Sequence, residues 1–524
     1  MEDREMTAVR KGRRGGRNAR HELRSSPLAK DLRPIRPGMD GGRYKALSVQ
    51  DMDKIHEVIL ESLSTIGFSD AIPSCIELVT KAGGTLTDEG RLLFPRELIE
   101  HTLKIADRNF TLHAQNPEHD LHPSGDRVYF GTAGAAVHMV DIETGEYSEP
   151  GIKDLYDIGR LVDHLDNIHF FQRSVVARDM EKSRDLDINT LYACVSGTEK
   201  HVGSAWGKPE HVEESLKMLH MIAGSEEAWR ARPFVSMSCC FVVPPFKFAE
   251  DACHTLEAAV RGGMPILLLA AGQAGATSPA ALAGAVAQEM AEVIAALAYV
   301  NLIAPGHPCI LGPWPFVSDL RTGAMSGGSG EQALLSAACA QMCRYYDLTG
   351  GVCAGMSDSK VVDAQSGAEK GYTKALVGNS GANMVYESAG MHASLLGCCL
   401  ESFVIDNDTI GGVLRSVRGI EVNDGTLSLD AIRQVCLEGP GHFLGHDQTM
   451  QLMETEYVYP LIGDRTSPKE WQENGSPSFN TRAREKTREI LGTHFPTHID
   501  SDLDARIREG FDIQLERKHM LADT

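Results

Sequence analysis

Residues 350–370, GGVCAGMSDSKVVDAQSGAEK, decide the fold. They read as a short apolar strand (351–354), a Gly-Met-Ser-Asp turn, and a helix opened by Ser357 or Asp358. A strand that ends in a small polar turn and runs into a helix is one βα unit. The pattern recurs on both sides. Strand candidates are 128–139, 168–177, 200–206, 234–243, 265–271, 308–316, 351–354 and 383–386. Helical stretches follow each, at 153–164, 187–195, 209–223, 246–261, 279–303, 330–346, 360–377 and 391–403. Eight strands alternating with eight helices over about 275 residues predict an α/β chain folded as a (β/α)8 TIM barrel at 127–405. A doubly wound open sheet is the alternative, though it more often has about five to seven strands and a nucleotide loop.

Outside the barrel the pattern changes. Residues 1–45 form a basic tail without apolar periodicity, dense in arginine between Arg10 and Arg24. Such a tail is either disordered or packs on a neighbouring subunit. Residues 46–126 read as an N-terminal α+β cap. Ser48 is a candidate N-cap with Asp51 three residues on, and Val49, Met52, Ile55, Ile59 and Leu63 recur at helical spacing. Further helices are expected at 74–82 and 95–106, with a hairpin at 83–94. Residues 406–524 form a C-terminal extension with helices at 427–437, 480–491 and 502–518, able either to fold over the barrel mouth or to build a subunit contact.

The chain carries 51 Lys and Arg against 72 Asp and Glu, a net charge of -21. That argues against nucleic acid as a partner, which calls for a basic face. The twelve cysteines include no CxxC pair and sit largely in apolar runs, as free thiols of a reducing compartment do. With no apolar leader, this points to a cytoplasmic enzyme. The apolar helix at 280–303 carries Gln288, Glu289 and Glu292, so it reads as a buried core helix and no membrane association is expected.

Barrel enzymes act at the C-terminal ends of their strands. The residues there include Asp141, Gln172, Arg173, Ser204, Trp206, Ser238, Cys239, Gln273, Trp314, Met356, Ser357, Asp358, Glu387, Ser388 and His392. No metal-ligand HxH pattern, Schiff-base lysine or glycine-rich phosphate cup stands out, so neither a bound metal nor a nucleotide is expected. The rim offers amides and aromatics instead: Phe130, Trp206, Trp314 and Tyr386. Aromatic faces attract a desolvated cation. Each aromatic alone is better explained by core packing, Asp141 by a turn, His392 by a helix start and Met356 by gap filling; the functional reading needs them together.

Together with RRGGRNAR near the N-terminus, VDIETGE (140–146) and Asp154-Leu155, the segments SDSKVVDAQSGAEK (357–370), ESAGMHASLLG (387–397) and GHFLGHDQTM (441–450) resemble the trimethylamine methyltransferase (MttB) superfamily from about residue 13 to 515. The resemblance implies a barrel that moves a methyl group from a methylated amine to the cobalt of a corrinoid (cobalamin). A separate small corrinoid-binding protein carries that cofactor. Founding members place pyrrolysine in the barrel. This chain has only standard residues, and Met356 matches the pyrrolysine position by its place after strand seven. The chain is thus similar to the non-pyrrolysine members that resemble glycine betaine and other quaternary amine methyltransferases.

A quaternary nitrogen already carries its positive charge and leaves as a neutral tertiary amine, so no general acid is needed, and positioning dominates. The resemblance assigns His392 and Asp141 as the polar pair that orients substrate or faces the corrinoid. Phe130, Gln172, Arg173, Trp206, Trp314, Met356, Tyr386, Glu387, His442 and His446 are the substrate-binding candidates. A homo-oligomer is expected. The substrate reading is glycine betaine. The alternatives are another methylated amine, proline betaine, carnitine, a sulfonium compound, or a non-catalytic osmolyte-binding barrel. The string DLHPSG (120–125) matches the DxHxxG loop of corrinoid-binding domains, but no corrinoid-domain pattern follows it.

Overall fold

The computed structural model describes residues 32–522; the basic segment 10–24 lies outside them. Eight parallel strands form the centre: β1 (Arg127–Phe130), β2 (Phe171–Gln172), β3 (Val202–Ser204), β4 (Val235–Cys239), β5 (Ile266–Ala270), β6 (Cys309–Pro313), β7 (Gly351–Cys353) and β8 (Met384–Tyr386). Ladders join β2 through β6 in order, and join β7 to β8 and β8 to β1. Single parallel bridges, Gly131 with Phe170 and Leu311 with Gly350, connect the two arcs and close the ring. The chain is a (β/α)8 barrel. Strand β5, Ile-Leu-Leu-Leu-Ala, is buried at every position, as a parallel strand covered on both faces must be.

The helices, in chain order, are α1 (Val49–Thr65), α2 (Pro73–Lys81), α3 (Arg96–Ile105), α4 (Ile152–His164), α5 (Ser183–Gly197), α6 (Pro209–Ala223), α7 (Glu250–Arg261), α8 (Leu282–Ile303), α9 (Gly330–Tyr345), α10 (Ala364–Ser380) and α11 (Leu400–Arg418). Ser48 caps α1 in a capping box with Asp51. Helices α1 and α3, with the hairpin Thr85–Leu86/Leu92–Leu93 beside α2, form an N-terminal α+β layer that packs on α8. Helix α8 is long and apolar enough to cross a membrane, but 89% of its most apolar window is buried inside the protein.

Three stretches depart from the sequence reading. Residues 128–139, expected as one strand, split into β1 and His138–Val140, because Gly134 and Ala135 take positive φ and turn the chain aside. Residues 391–403, expected as helix, begin with a hairpin, Met391–His392 against Gly397–Cys398, turned by Ala393, Ser394 and Leu395 at positive φ. Helix α11 runs on to Arg418, past the expected boundary at 405. The run Asp406, Asn407, Asp408 looks like a helix end, yet each side chain has a tertiary partner: Asp406 binds Lys370 and Lys374, Asn407 binds Asn167, and Asp408 accepts backbone N–H groups of Leu461, Ile462 and Gly463.

The C-terminal helices Phe479–Thr493 and Ser501–Gly510 lie along the flank of the barrel. Buried Arg160 of α4, paired with Asp157, donates to the carbonyls of Leu491 and His494. The Tyr192 hydroxyl of α5 donates to Asp504. Residues 421–458 group with 32–36 as a second compact unit, separate from 37–420 and 459–522. It holds two short helices, Leu429–Arg433 and Asp447–Leu452, joined through a wider turn at Gln434–Glu438. Val422, Leu437 and Leu444 are more than two-thirds exposed in it.

Candidate active site at the barrel mouth

A cavity of about 430 Å³ opens at the C-terminal ends of β1–β6 and β8, a size suited to a small molecule. Gln172 and Arg173 project from the end of β2, Trp206 follows β3, Trp314 follows β6 and Glu387 follows β8. The Gln172 side chain fits because position 203 on the neighbouring strand is glycine: a Cβ there would fall 1.7 Å from Gln172 Oε1. Each indole N–H is tied off, Trp206 Nε1 to Ser215 Oγ at 2.7 Å and Trp314 Nε1 to the Gly351 carbonyl at 3.0 Å. What the two rings present to the cavity is carbon and π surface.

The charges are the decisive feature. Glu387 is fully buried, and neither carboxyl oxygen has a hydrogen-bond partner. Its φ of 60° is left-handed, which a residue with a Cβ adopts at a cost of about 1–2 kcal/mol. Burial pushes its carboxyl well above the usual range. Arg173 makes no ion pair among the described residues, and burial pulls its guanidinium below its ordinary value. A guanidinium and a carboxyl whose ionised form burial disfavours thus share one cavity without an ion pair between them. A buried ionised group ordinarily requires a partner, and the Glu387 carboxyl has none among the described residues.

Cys239 and Cys240 also line the cavity. Burial pushes both thiols up, Cys240 to about 11, so neither is a thiolate nucleophile at neutral pH. No histidine is among the residues that line the cavity.

Of the sequence candidates, Gln172, Arg173, Trp206, Trp314 and Glu387 meet here. Tyr386 is buried beside them, its ring 5.4 Å from Trp314 and 4.8 Å from Phe170. Phe130 points outward and packs where α10 passes at Gly378. Met356 is buried against Gly327. Asp141 sits in an exposed turn, where its Oδ1 accepts the N–H groups of Glu143 and Thr144. His392 lies in a different cavity, against Ser402. His442 and His446 belong to the second unit; His442 is exposed, and His446 accepts from the Gln448 N–H. The loop at Asp120–Gly125 precedes β1 and so stands at the N-terminal end of that strand, opposite the mouth; Asp120 is paired with His113 and Arg232.

The family model for trimethylamine methyltransferase (MTTB) matches residues 13–519. The glycine betaine methyltransferase of Desulfitobacterium hafniense (strain Y51) is 29% identical over 468 residues, covering 89% of this chain and 96% of that protein. The trimethylamine methyltransferase MttB of Methanosarcina thermophila is 29% identical over 470 residues, with 89% and 96% covered. Among solved structures, the monomethylamine methyltransferase MtmB of Methanosarcina barkeri superposes with a TM-score of 0.44 at 13% identity, over 86% of this chain and 95% of that one. With a match across nearly its whole length, the chain belongs to the trimethylamine methyltransferase (MTTB) family and is a methyltransferase.

Proposed function

We propose that this methyltransferase demethylates a quaternary amine that also bears a carboxylate, glycine betaine in the first place. The methyl group goes to cobalt(I) of a corrinoid carried by a separate small protein. The observation that carries the reading is that the Arg173 guanidinium, which makes no ion pair, and the Glu387 carboxyl, which has no hydrogen-bond partner, line one aromatic-walled cavity. Arg173, flanked by the Gln172 amide, takes the carboxylate, for which the guanidinium fork is shaped. The trimethylammonium group rests between Glu387 and the faces of Trp206 and Trp314.

In this reading the residues position and do not transfer protons. Fixing both ends of the zwitterion leaves one N-methyl directed toward the mouth. When the C–N bond breaks, its electron pair stays on nitrogen and dimethylglycine leaves as a tertiary amine. The docked corrinoid supplies the methyl-accepting nucleophile. A cavity this small, lined by no histidine, suits the amine and not a resident cobalt centre.

Two further parts of the reading follow. Free thiols, with ten of twelve cysteines buried, support a cytoplasmic setting. The exposed Leu437 and Leu444 support assembly with further copies.

The test is incubation of the purified chain with reduced cobalamin and a panel of donors, following demethylated product by mass spectrometry. Dimethylglycine from glycine betaine supports the reading. Turnover of a different betaine keeps the chemistry and moves the substrate. Turnover of trimethylamine alone, or binding with no transfer even when a cognate corrinoid protein is supplied, overturns it.

A further inference from the structure

We propose that a second cavity, between α10, α11 and the start of the C-terminal helix Phe479–Thr493, is a binding site for a small oxyanion, either a phosphate or a carboxylate. Its volume is about 390 Å³, and it shares no lining residue with the cavity of Arg173 and Glu387.

The first observation is a surplus of buried positive charge. Lys370 and Lys374 of α10 are both buried, and both bind the same carboxylate of α11: Lys370 Nζ to Asp406 Oδ2 at 2.7 Å, and Lys374 Nζ to Asp406 Oδ1 at 2.5 Å. Asp406 also accepts the Gly390 N–H at 3.0 Å, so its oxygens are fully engaged. Two ammonium groups against one carboxylate leave a net charge of about +1 away from water, an arrangement that disfavours itself unless compensated. Among the described residues Asp406 is the lone side-chain acceptor of Lys370 Nζ, and an ammonium has three donors. Lys370 lines the cavity.

The second observation is His392. It is 1% exposed, it lines the cavity, and its Nδ1 has no partner. Its Nε2 is 2.7 Å from Ser402 Oγ. The tautomer an anion site requires is the one in which the Ser402 hydroxyl donates to Nε2, which leaves Nδ1–H as a free donor. Burial and the neighbouring Lys370 hold the imidazole far below its ordinary value, so it is neutral, and an oxyanion needs only that N–H from it.

The rim adds a third element. Asp363 and Ser478 line the cavity, and they are the N-caps of α10 and of the 15-residue helix Phe479–Thr493. Two helix N-termini therefore meet at one opening, and both favour an anion. Asp363 bears a negative charge, but it is exposed and its Oδ1 already accepts the Ser366 N–H. The site follows β7 and β8, where many barrels bind phosphate, although no glycine-rich cup is present.

The test is calorimetric titration of the full-length protein with inorganic phosphate and, separately, with acetate, in a buffer free of other oxyanions. One site is expected, and the tighter of the two probes identifies the ligand chemistry. Lys370→Met removes the surplus charge and leaves Lys374–Asp406 as a balanced pair; it is expected to weaken binding at least tenfold. His392→Leu, which leaves the charges alone, is expected to weaken it at least threefold, and it tests the site independently if the lysine variant does not fold. Arg173→Met is expected to leave phosphate binding unchanged. No binding at millimolar concentrations of either probe overturns the proposal. So does binding that Arg173→Met abolishes while Lys370→Met and His392→Leu preserve it, since the anion would then sit in the central cavity.

Discussion

Two places in this barrel bury carboxylates without a cation beside them, and they behave differently. In α8, Glu289 and Glu292 are fully buried. Glu289 Oε1 accepts the Gly272 N–H at 2.7 Å, and Glu292 Oε1 accepts the Phe246 N–H at 2.9 Å. Each pins a loop that leaves a barrel strand. Burial pushes both carboxyls up, and their mutual repulsion adds to it for Glu289. Glu387 is as deeply buried and its carboxyl is pushed up in the same direction, but it holds no backbone group at all. A buried acid that satisfies a backbone donor explains itself structurally. One that satisfies nothing, faces a cavity, and sits on a strained backbone is, in the function proposed above, a partner for the ligand.

The largest effect expected from this contrast falls on Arg173, the other half of the incomplete pair. Arg173→Met strips the counter-charge from a bound carboxylate, a loss of about 2–5 kcal/mol for a buried charge contact, or roughly 30- to 4,000-fold in kcat/KM for glycine betaine. Tetramethylammonium, which has no carboxylate, should be turned over equally by both proteins. Equal losses on both donors would show that Arg173 supports the fold and does not read the substrate.

Next in size is a pH effect at α8. Burial raises Glu292 from an ordinary 4.5 to about 7. The folded state therefore binds more protons than the unfolded chain, and stability falls as pH rises above the ordinary carboxylate range. Below pH 4.5 both states are protonated and nothing is lost. Denaturant unfolding of Glu292→Gln from pH 4.5 to 8 should show a flatter decline than the parent, with kcat/KM within about twofold. A parallel pH profile would mean that the carboxyl is not protonated in the folded protein.

Glu387→Gln keeps the shape and removes the charge that faces the ammonium group. About 1–2 kcal/mol of cation binding is at stake, read as a rise in KM of roughly tenfold with kcat less affected. An unchanged KM for both glycine betaine and tetramethylammonium would make Glu387 a structural acid like Glu289 and erase the contrast. The smallest effect belongs to Asp141→Ala. In its exposed turn this residue lines neither of the two cavities described, so activity should stay within about twofold, with a stability loss of about 1 kcal/mol from the two freed N–H groups. A loss of 100-fold would place Asp141 in the chemistry after all, at the docking face.

Much of the fold was legible because its grammar is local. Ser48 with Asp51 announces the start of α1, and the apolar run of β5 announces a strand buried on both faces. The failures are also local in cause. Asp406–Asp408 reads as a helix end because three short polar side chains in a row favour one. The helix continues because Lys370, Lys374, Asn167 and the backbone of 461–463 satisfy them from far away in sequence. The site divides in the same way. Gln172, Arg173, Trp206, Trp314 and Glu387 could be named from their places just after strands. Phe130 occupies an equivalent place, but its side chain points to α10, and the strand ends alone do not give that direction. Of the outer cavity, the strand ends gave His392 but not its lysines. Lys370 and Lys374, four residues apart on one helix, look like an ordinary solvated face.

By itself the sequence determined the eightfold alternation, and with it the barrel, because strand and helix periods are written in neighbouring residues. It also determined which residues stand at the C-terminal ends of the strands. Only the tertiary structure decided which buried charges are paired. Asp406 meets two lysines, Glu289 and Glu292 meet backbone N–H groups, and the Glu387 carboxyl meets no hydrogen-bond partner. The physical reason is that the cost of a buried charge depends on atoms within a few ångströms in space, and those atoms come from strands and helices far apart along the chain.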